Sequence, residues 1–255
     1  MQLHHEIHGS GPPLIILHGL LGSGDNWRTM ARWLAGRYRV FSLDLRNHGR
    51  SPHCDRMDYP AMAEDLRQFM EQHSLGRTIL LGHSMGGKVA MRFALAWPEM
   101  VEKLVVVDIA PKPYGARHDD ILRGLVALEP ERFREREDID LVLQASIPDP
   151  DMRLFLLKNL VRTPRGSFAW RINLESIVRN YDVISGWPVD VASCGVSALF
   201  MKGECSDYLR VADAGLVRDS FPRARLVTIS HAGHWPHVEA PGVFRAALDG
   251  FLAAA

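Results

Sequence analysis

Thr78-Ile79-Leu80-Leu81-Gly82-His83-Ser84-Met85-Gly86-Gly87 is the stretch on which the reading of this chain turns. Thr78 to Leu81 is a short apolar run suited to a buried strand. After Gly87 an Ala- and Met-rich segment predicts a helix that Pro98 ends. Between them, Gly82-His83-Ser84-Met85-Gly86 fits the pattern Gly-x-Ser-x-Gly. A strand that turns directly into a helix forces the residue at the bend into a strained conformation, and glycines on either side avoid the clashes side chains would bring. The serine then stands at a helix N-terminus, where free N–H groups and the helix dipole favour a developing anion. A bare pentapeptide match is often only a turn; the strand before it and the helix after it give this one chemical meaning.

Working outward, Leu14-Ile15-Ile16-Leu17 predicts a buried strand that ends in His18-Gly19-Leu20-Leu21-Gly22. Asp25 follows as a helix cap, with Trp27, Met30, Ala31 and Leu34 on one helical face. A strand over 39–45 comes next, then a helix over 59–73 with Met62, Leu66, Phe69 and Met70 at helical spacing. Beyond the elbow, Leu104-Val105-Val106-Val107 predicts a strand finishing at Asp108. From about residue 111 to 188 the strand signal disappears. Helical patterns at 119–128, 139–145, 152–160 and 172–180 read as an inserted helical lid. The β/α rhythm resumes with strands at 196–201 and 225–229 and a closing helix over 241–252. The organisation is therefore a core in two parts, 1–110 and 191–255, with the lid over 111–190 between them.

Composition narrows what such a domain can do. The chain has 255 residues, 47% of them hydrophobic, enough for a large core. Lys plus Arg and Asp plus Glu number 30 each, so no broad field points to nucleic acid or an anionic membrane. Cys54, Cys194 and Cys205 are odd in number and widely spaced, which argues for free thiols and against a disulfide framework or a zinc site. The start of the chain lacks a basic leader with an apolar run, and no apolar stretch reaches membrane-spanning length, so a cytoplasmic protein without stable membrane insertion is expected. His4-His5-Glu6-Ile7-His8 looks like a ligand cluster, but Gly9 stands where His-Glu-x-x-His needs its second histidine, so no metal is expected there.

A serine hydroxyl is a weak nucleophile at neutral pH and needs an imidazole to take its proton and a pair of donors for the oxyanion. The backbone N–H groups of Leu20 and Met85 are the expected oxyanion hole, with His18 holding their loop by hydrogen bonds. The base should follow the last strand, where Ser230-His231-Ala232-Gly233-His234-Trp235-Pro236-His237 offers three histidines. Its place between final strand and final helix favours His234, leaving His231 and His237 as loop and rim residues. His48 and His73 read as structural. The acid is less tidy: Lys202-Gly203-Glu204-Cys205-Ser206 puts a serine where the carboxylate often stands, and Asp207 comes one residue late. Asp108, directly after four apolar residues, is the favoured acid, Asp207 the rival, and Ser206 is expected to hydrogen-bond to the Asp108–His234 pair. Leu21, Trp27 and Trp235, with Met85, are candidate apolar substrate contacts.

With these residues in view, the chain resembles the YbfF-type esterases and the related mitochondrial protein abhydrolase domain-containing 11, within the α/β-hydrolase superfamily. The resemblance rests on His18-Gly19-Leu20-Leu21-Gly22-Ser23, on Asp44-Leu45-Arg46-Asn47-His48-Gly49-Arg50-Ser51-Pro52, and on His83-Ser84-Met85-Gly86-Gly87-Lys88. Val107-Asp108-Ile109-Ala110-Pro111 is similar to the strand end carrying the acid in that group, and Gly233-His234-Trp235 to the base loop. One departure is Asp207, where the family loop tends to hold a small residue or proline. The resemblance implies a mostly parallel eight-stranded sheet flanked by helices, and hydrolysis of carboxylic esters or acyl thioesters, acyl-CoA among them, without a cofactor, by a monomer or homodimer. Dehalogenases and epoxide hydrolases of this fold need a carboxylate at the elbow, which Ser84 excludes. Carbon–carbon bond hydrolases, cofactor-free haloperoxidases and receptor-like binding proteins retain a serine and stay as alternatives.

Overall fold

The computed structural model describes residues 1–115, 117–187 and 193–254. Its main sheet takes β1 (His5–His8), β2 (Pro13–Leu17), β3 (Arg39–Leu43), β4 (Thr78–His83), β5 (Val101–Val107), and two late strands. A short hairpin, β6 (Leu160–Arg162) and β7 (Phe168–Trp170), lies apart, and β8 (Ala198–Gly203) and β9 (Ala224–Ile229) complete the sheet. The order is β1-β3-β2-β4-β5-β8-β9, with β1 antiparallel to β3 and every other pairing parallel. Seven strands are therefore present among the described residues, one fewer than the eight expected. Residues 1–4, which precede β1, form no strand, and β1 closes that side of the sheet.

Both faces of the sheet are covered, which is why its strands read as continuous apolar runs. Neighbours along a strand point to opposite faces. Ile15, Leu17, Leu80, Leu104, Val106 and Phe200 join one core cluster, while Leu14, Ile16, Leu81, Val105, Val107 and Met201 join the other. The first cluster takes α2 (Tyr59–Gln72) and α3 (Met85–Ala96) through Met62, Leu66, Val89 and Phe93. The second takes α1 (Arg28–Leu34) through Met30 and Leu34 and the closing helix Pro241–Ala253 through Phe244 and Leu248. Asp58 starts α2 by accepting the N–H of Ala61 at 2.7 Å.

Between β5 and β8 the chain leaves the sheet. The insertion holds α4 (Asp119–Ala127), α5 (Arg136–Leu143), α6 (Pro150–Leu157), the β6–β7 hairpin, α7 (Leu174–Arg179) and α8 (Tyr181–Ser185). The hairpin corrects the reading of this segment as wholly helical. Three-residue strands are too short to show a period, and the turn between them uses Gly166 at φ +79°. Asparagines tie the insertion to the core: Asn159 Nδ2 donates to the Leu21 carbonyl (2.8 Å), Asn173 Nδ2 to Asn47 Oδ1 (3.1 Å), and Asn180 Nδ2 to the Asp55 carbonyl (2.8 Å). The boundary expected at residues 190 and 191 lies outside the described residues. No helix among the described residues is long and apolar enough to cross a membrane.

Candidate active site

The C-terminal ends of β2, β4, β5, β8 and β9 converge where ligands bind in open α/β sheets. Ser84 sits between β4 and α3 at φ 51°, ψ −118°, a conformation costly for a residue with a side chain. Neighbours hold it there: its N–H donates to the Val107 carbonyl at 3.0 Å, and its carbonyl accepts from Lys88 N–H at 3.1 Å. A Cβ on Gly82 would come within 2.3 Å of the Gly86 carbonyl oxygen, and one on Gly86 within 2.4 Å of the Leu17 carbonyl oxygen, so the bend admits only glycine at both places. Ser84 faces a cleft enclosing about 370 Å³ of empty space, open solvent included, with Leu20, Met85, Lys88, Tyr114 and Tyr208 among its walls.

Asp108 directly follows β5 beside the elbow at φ 52°, wholly buried. Its Oδ1 accepts the Gly203 N–H at 3.0 Å. Its Oδ2 lies 2.7 Å from His234 Nδ1 and also accepts the Ser206 hydroxyl, whose oxygen in turn accepts the Tyr208 N–H at 3.2 Å. With Nδ1 turned to the carboxylate, Nε2 is the ring nitrogen of His234 left for other work. The ring stacks on Tyr208, centroids 3.9 Å apart and planes 22° off parallel, which fixes its tilt. Ser84 Oγ and His234 are not hydrogen-bonded in this structure; such bonds are often long before substrate is bound.

Asp207, the rival acid, is turned away. Its side chain is 57% exposed and forms a two-armed ion pair with Arg117 (2.5 and 3.1 Å), which together with Arg210 pushes its carboxyl down to about 2. The loop after β2 is held by two buried histidines. His18 Nδ1 bonds the Gly19 carbonyl (2.8 Å) while Nε2 accepts the Leu45 N–H (3.0 Å), and His48 Nε2 accepts the Leu21 N–H (3.0 Å). Burial lowers the pKa of both rings, that of His48 to about 3, so each is the neutral acceptor its bonds require. The Leu20 N–H has no acceptor among the described residues, and Met85 opens α3, where N–H groups have no intrahelical partner.

Comparison with known proteins agrees with this geometry. The family described as alpha/beta hydrolase fold matches residues 12–142. The chain belongs to that family. It is 38% identical to a putative esterase/lipase of Haemophilus influenzae, over 94% of this chain and 83% of that one. It is 33% identical to esterase YbfF of Escherichia coli over 94% and 92% of the two chains, and 38% identical to mouse sn-1-specific diacylglycerol lipase ABHD11 over 95% and 81%. Among solved structures, a marine microorganism esterase superposes with a TM-score of 0.96 at 43% identity, covering 98% of this chain and 99% of that one.

In this α/β-hydrolase Met85 lines the cleft, whereas the other three apolar contacts named from sequence, Leu21, Trp27 and Trp235, do not. Trp27 is buried in the second core cluster, stacked on His237 at 3.9 Å, because helix α1 packs beneath the sheet. Leu21 turns its side chain into the first core cluster at φ 60°. Trp235 packs on Phe155 of α6, centroids 5.5 Å apart. His237 is buried rather than a rim residue, whereas His231 is exposed and gives its N–H to Glu204. Sequence reasoning passed over His83, whose Nε2 reaches the His234 carbonyl at 2.8 Å and so places the base loop. It also passed over Tyr208 and Lys88. Lys88 lies one helical turn beyond Ser84, which the 3.6-residue period alone could have shown.

Proposed function

We propose that this α/β-hydrolase is a serine esterase that cleaves carboxylic esters and acyl thioesters through an acyl-enzyme on Ser84. The observation that carries this is the buried Asp108 carboxylate fixing His234 through Nδ1, next to a serine held in a strained bend at the cleft. Ser84 Oγ attacks the carbonyl carbon as His234 Nε2 takes its proton. The N–H groups of Leu20 and Met85 receive the oxyanion, and the imidazolium then protonates the departing alcohol or thiol. Water attacks the acyl-enzyme with His234 again as base, releasing the acid and restoring Ser84. Asp108 stabilises the imidazolium, and Ser206 and Gly203 hold Asp108 in turn. The esterase and lipase names of relatives along nearly the whole chain support an ester as substrate.

The insertion acts as a lid. Tyr181, Ile184 and Ser185 of α8, with Tyr114 and His118 ahead of α4, wall the cleft at Ser84, so the insertion borders the space that the acyl group must enter. Turnover of p-nitrophenyl esters and CoA thioesters across acyl lengths tests the substrate class, and a burst of p-nitrophenol tests the acyl-enzyme. Ser84→Ala should lower kcat by about 10⁴ to 10⁶-fold; wild-type turnover in that variant would refute the mechanism.

A further inference from the structure

Lys88 is a basic side chain in the wall of the cleft with no carboxylate to pair with. Its side chain is almost wholly buried, and its ammonium donates to the carbonyls of Ser185 (3.2 Å) and Gly186 (2.6 Å) at the end of α8. Its remaining surroundings are the ring faces of Tyr114 and Tyr59, 4.7 and 5.4 Å from Nζ. No Asp or Glu lines the cleft among the described residues. The other two basic side chains of the wall are committed. Arg117 is paired with Asp207, and His118 is half-buried against the Tyr181 hydroxyl with its pKa pushed down to about 4, which leaves it neutral.

Tethering α8 explains two of the three N–H bonds of Lys88 but not the choice of residue. Two carbonyls could be satisfied by a neutral amide, without the cost of burying an amine whose charged form has no counter-ion. A buried amine without a counter-ion, in the same cleft as the serine, is an arrangement that a substrate anion completes.

We propose that Lys88 binds a carboxylate carried on the acyl part of the substrate, so that the favoured esters are half-esters of short dicarboxylic acids. This rests on the serine-esterase reading above. Lys88 stands in the first turn of α3, four residues after Ser84. Both side chains line the one cleft, so a short acyl chain whose carbonyl is held at Ser84 can carry its carboxylate to Lys88. Burial draws the Lys88 pKa down to about 7, and an anion at hydrogen-bond distance favours its charged form.

The test compares monoethyl succinate and monoethyl glutarate with neutral ethyl esters of the same shape, an isopropyl group replacing the carboxylate, by proton release at constant pH. Wild-type kcat/KM should favour the anionic esters by about tenfold or more, one charge-assisted hydrogen bond being worth at least that. Lys88→Met should bring the ratio close to one, and Lys88→Arg should retain part of it. A wild-type ratio of one or below overturns the proposal. So does a Lys88→Met variant that loses activity equally on both esters, the signature of a tether alone. If Lys88→Met does not fold, the wild-type ratio decides. Labelling of Ser84 by a fluorophosphonate separates the two levels: labelled protein that cleaves neutral esters without anionic preference refutes the role of Lys88 only, whereas no labelling and no ester cleavage refutes the esterase reading.

Discussion

Replacing Asp108 by Asn is the sharpest probe of the site, because the structure dictates how the amide must sit. The Gly203 N–H, 3.0 Å from Oδ1, requires an oxygen at that position, so the amide NH₂ falls where Oδ2 now meets His234 Nδ1 and the Ser206 hydroxyl. An NH₂ there donates to Nδ1 and leaves the ring with its proton on Nε2, the tautomer that cannot accept the proton of Ser84. The volume and most contacts persist, so the protein should fold normally. The loss expected for a wrong tautomer is about 10⁴-fold in kcat, or about 5.4 kcal/mol at 1.36 kcal/mol per decade. Asp207→Asn breaks only an exposed pair with Arg117 and should leave kcat within about threefold. Both variants are read with p-nitrophenyl butyrate at neutral pH, with thermal melts as a check on folding. A fall of less than about tenfold for Asp108→Asn, or a thousandfold fall for Asp207→Asn, would refute the assignment of the acid.

Ser206 acts on Asp108 and not on substrate, so Ser206→Ala should lower kcat by about tenfold, half-exposure letting water replace part of a charge-assisted bond. Ser206→Thr, which keeps the hydroxyl, should recover most of the loss, and equal losses in the two would show that the bond is idle. Burial pushes the pKa of His48 and His237 down to about 3 and of His118 to about 4. Each is depressed below the unfolded value of 6.5, so below that pH the unfolded chain binds protons the folded one refuses, and stability falls as pH falls. The slope is at most about 1.4 kcal/mol per pH unit for each ring, and the melting temperature should drop steeply between about pH 6.5 and pH 4.5. His237→Phe keeps the stack on Trp27, removes a buried ring nitrogen without a partner, and should flatten that slope. A melting temperature constant over this range would show that these rings are not buried as neutral groups.

The elements around the elbow were legible because their causes are local. Leu80 and Leu81 must be apolar on both sides of a covered sheet, and Gly82 and Gly86 must be glycine because backbone oxygens lie where a Cβ would go. His234 could be placed by chain order, and Asp108 stood out as a charge at the end of an apolar strand. The apolar contacts were misplaced for a different reason. Leu21 and Trp27 follow β2 closely in sequence, but sequence distance does not say on which side of the sheet a side chain packs, and Trp27 went beneath it. The β6–β7 hairpin escaped because three residues cannot display an alternation.

The amino-acid sequence by itself determined the alternation of strands and helices around the elbow, the bend at Ser84 and the chemical types at the ends of those strands, since these follow from periodicity and from which residues a backbone conformation tolerates. Only the tertiary structure brought Asp108 against His234 and Asp207 against Arg117, made Tyr208 the platform under His234, and left Lys88 without a carboxylate partner in the wall of the cleft. Those outcomes depend on which of several nearby polar groups a given side chain meets, and here the partners lie on loops far apart in the chain. Arg117 reaches across 90 residues to pair with Asp207, and no local pattern encodes that.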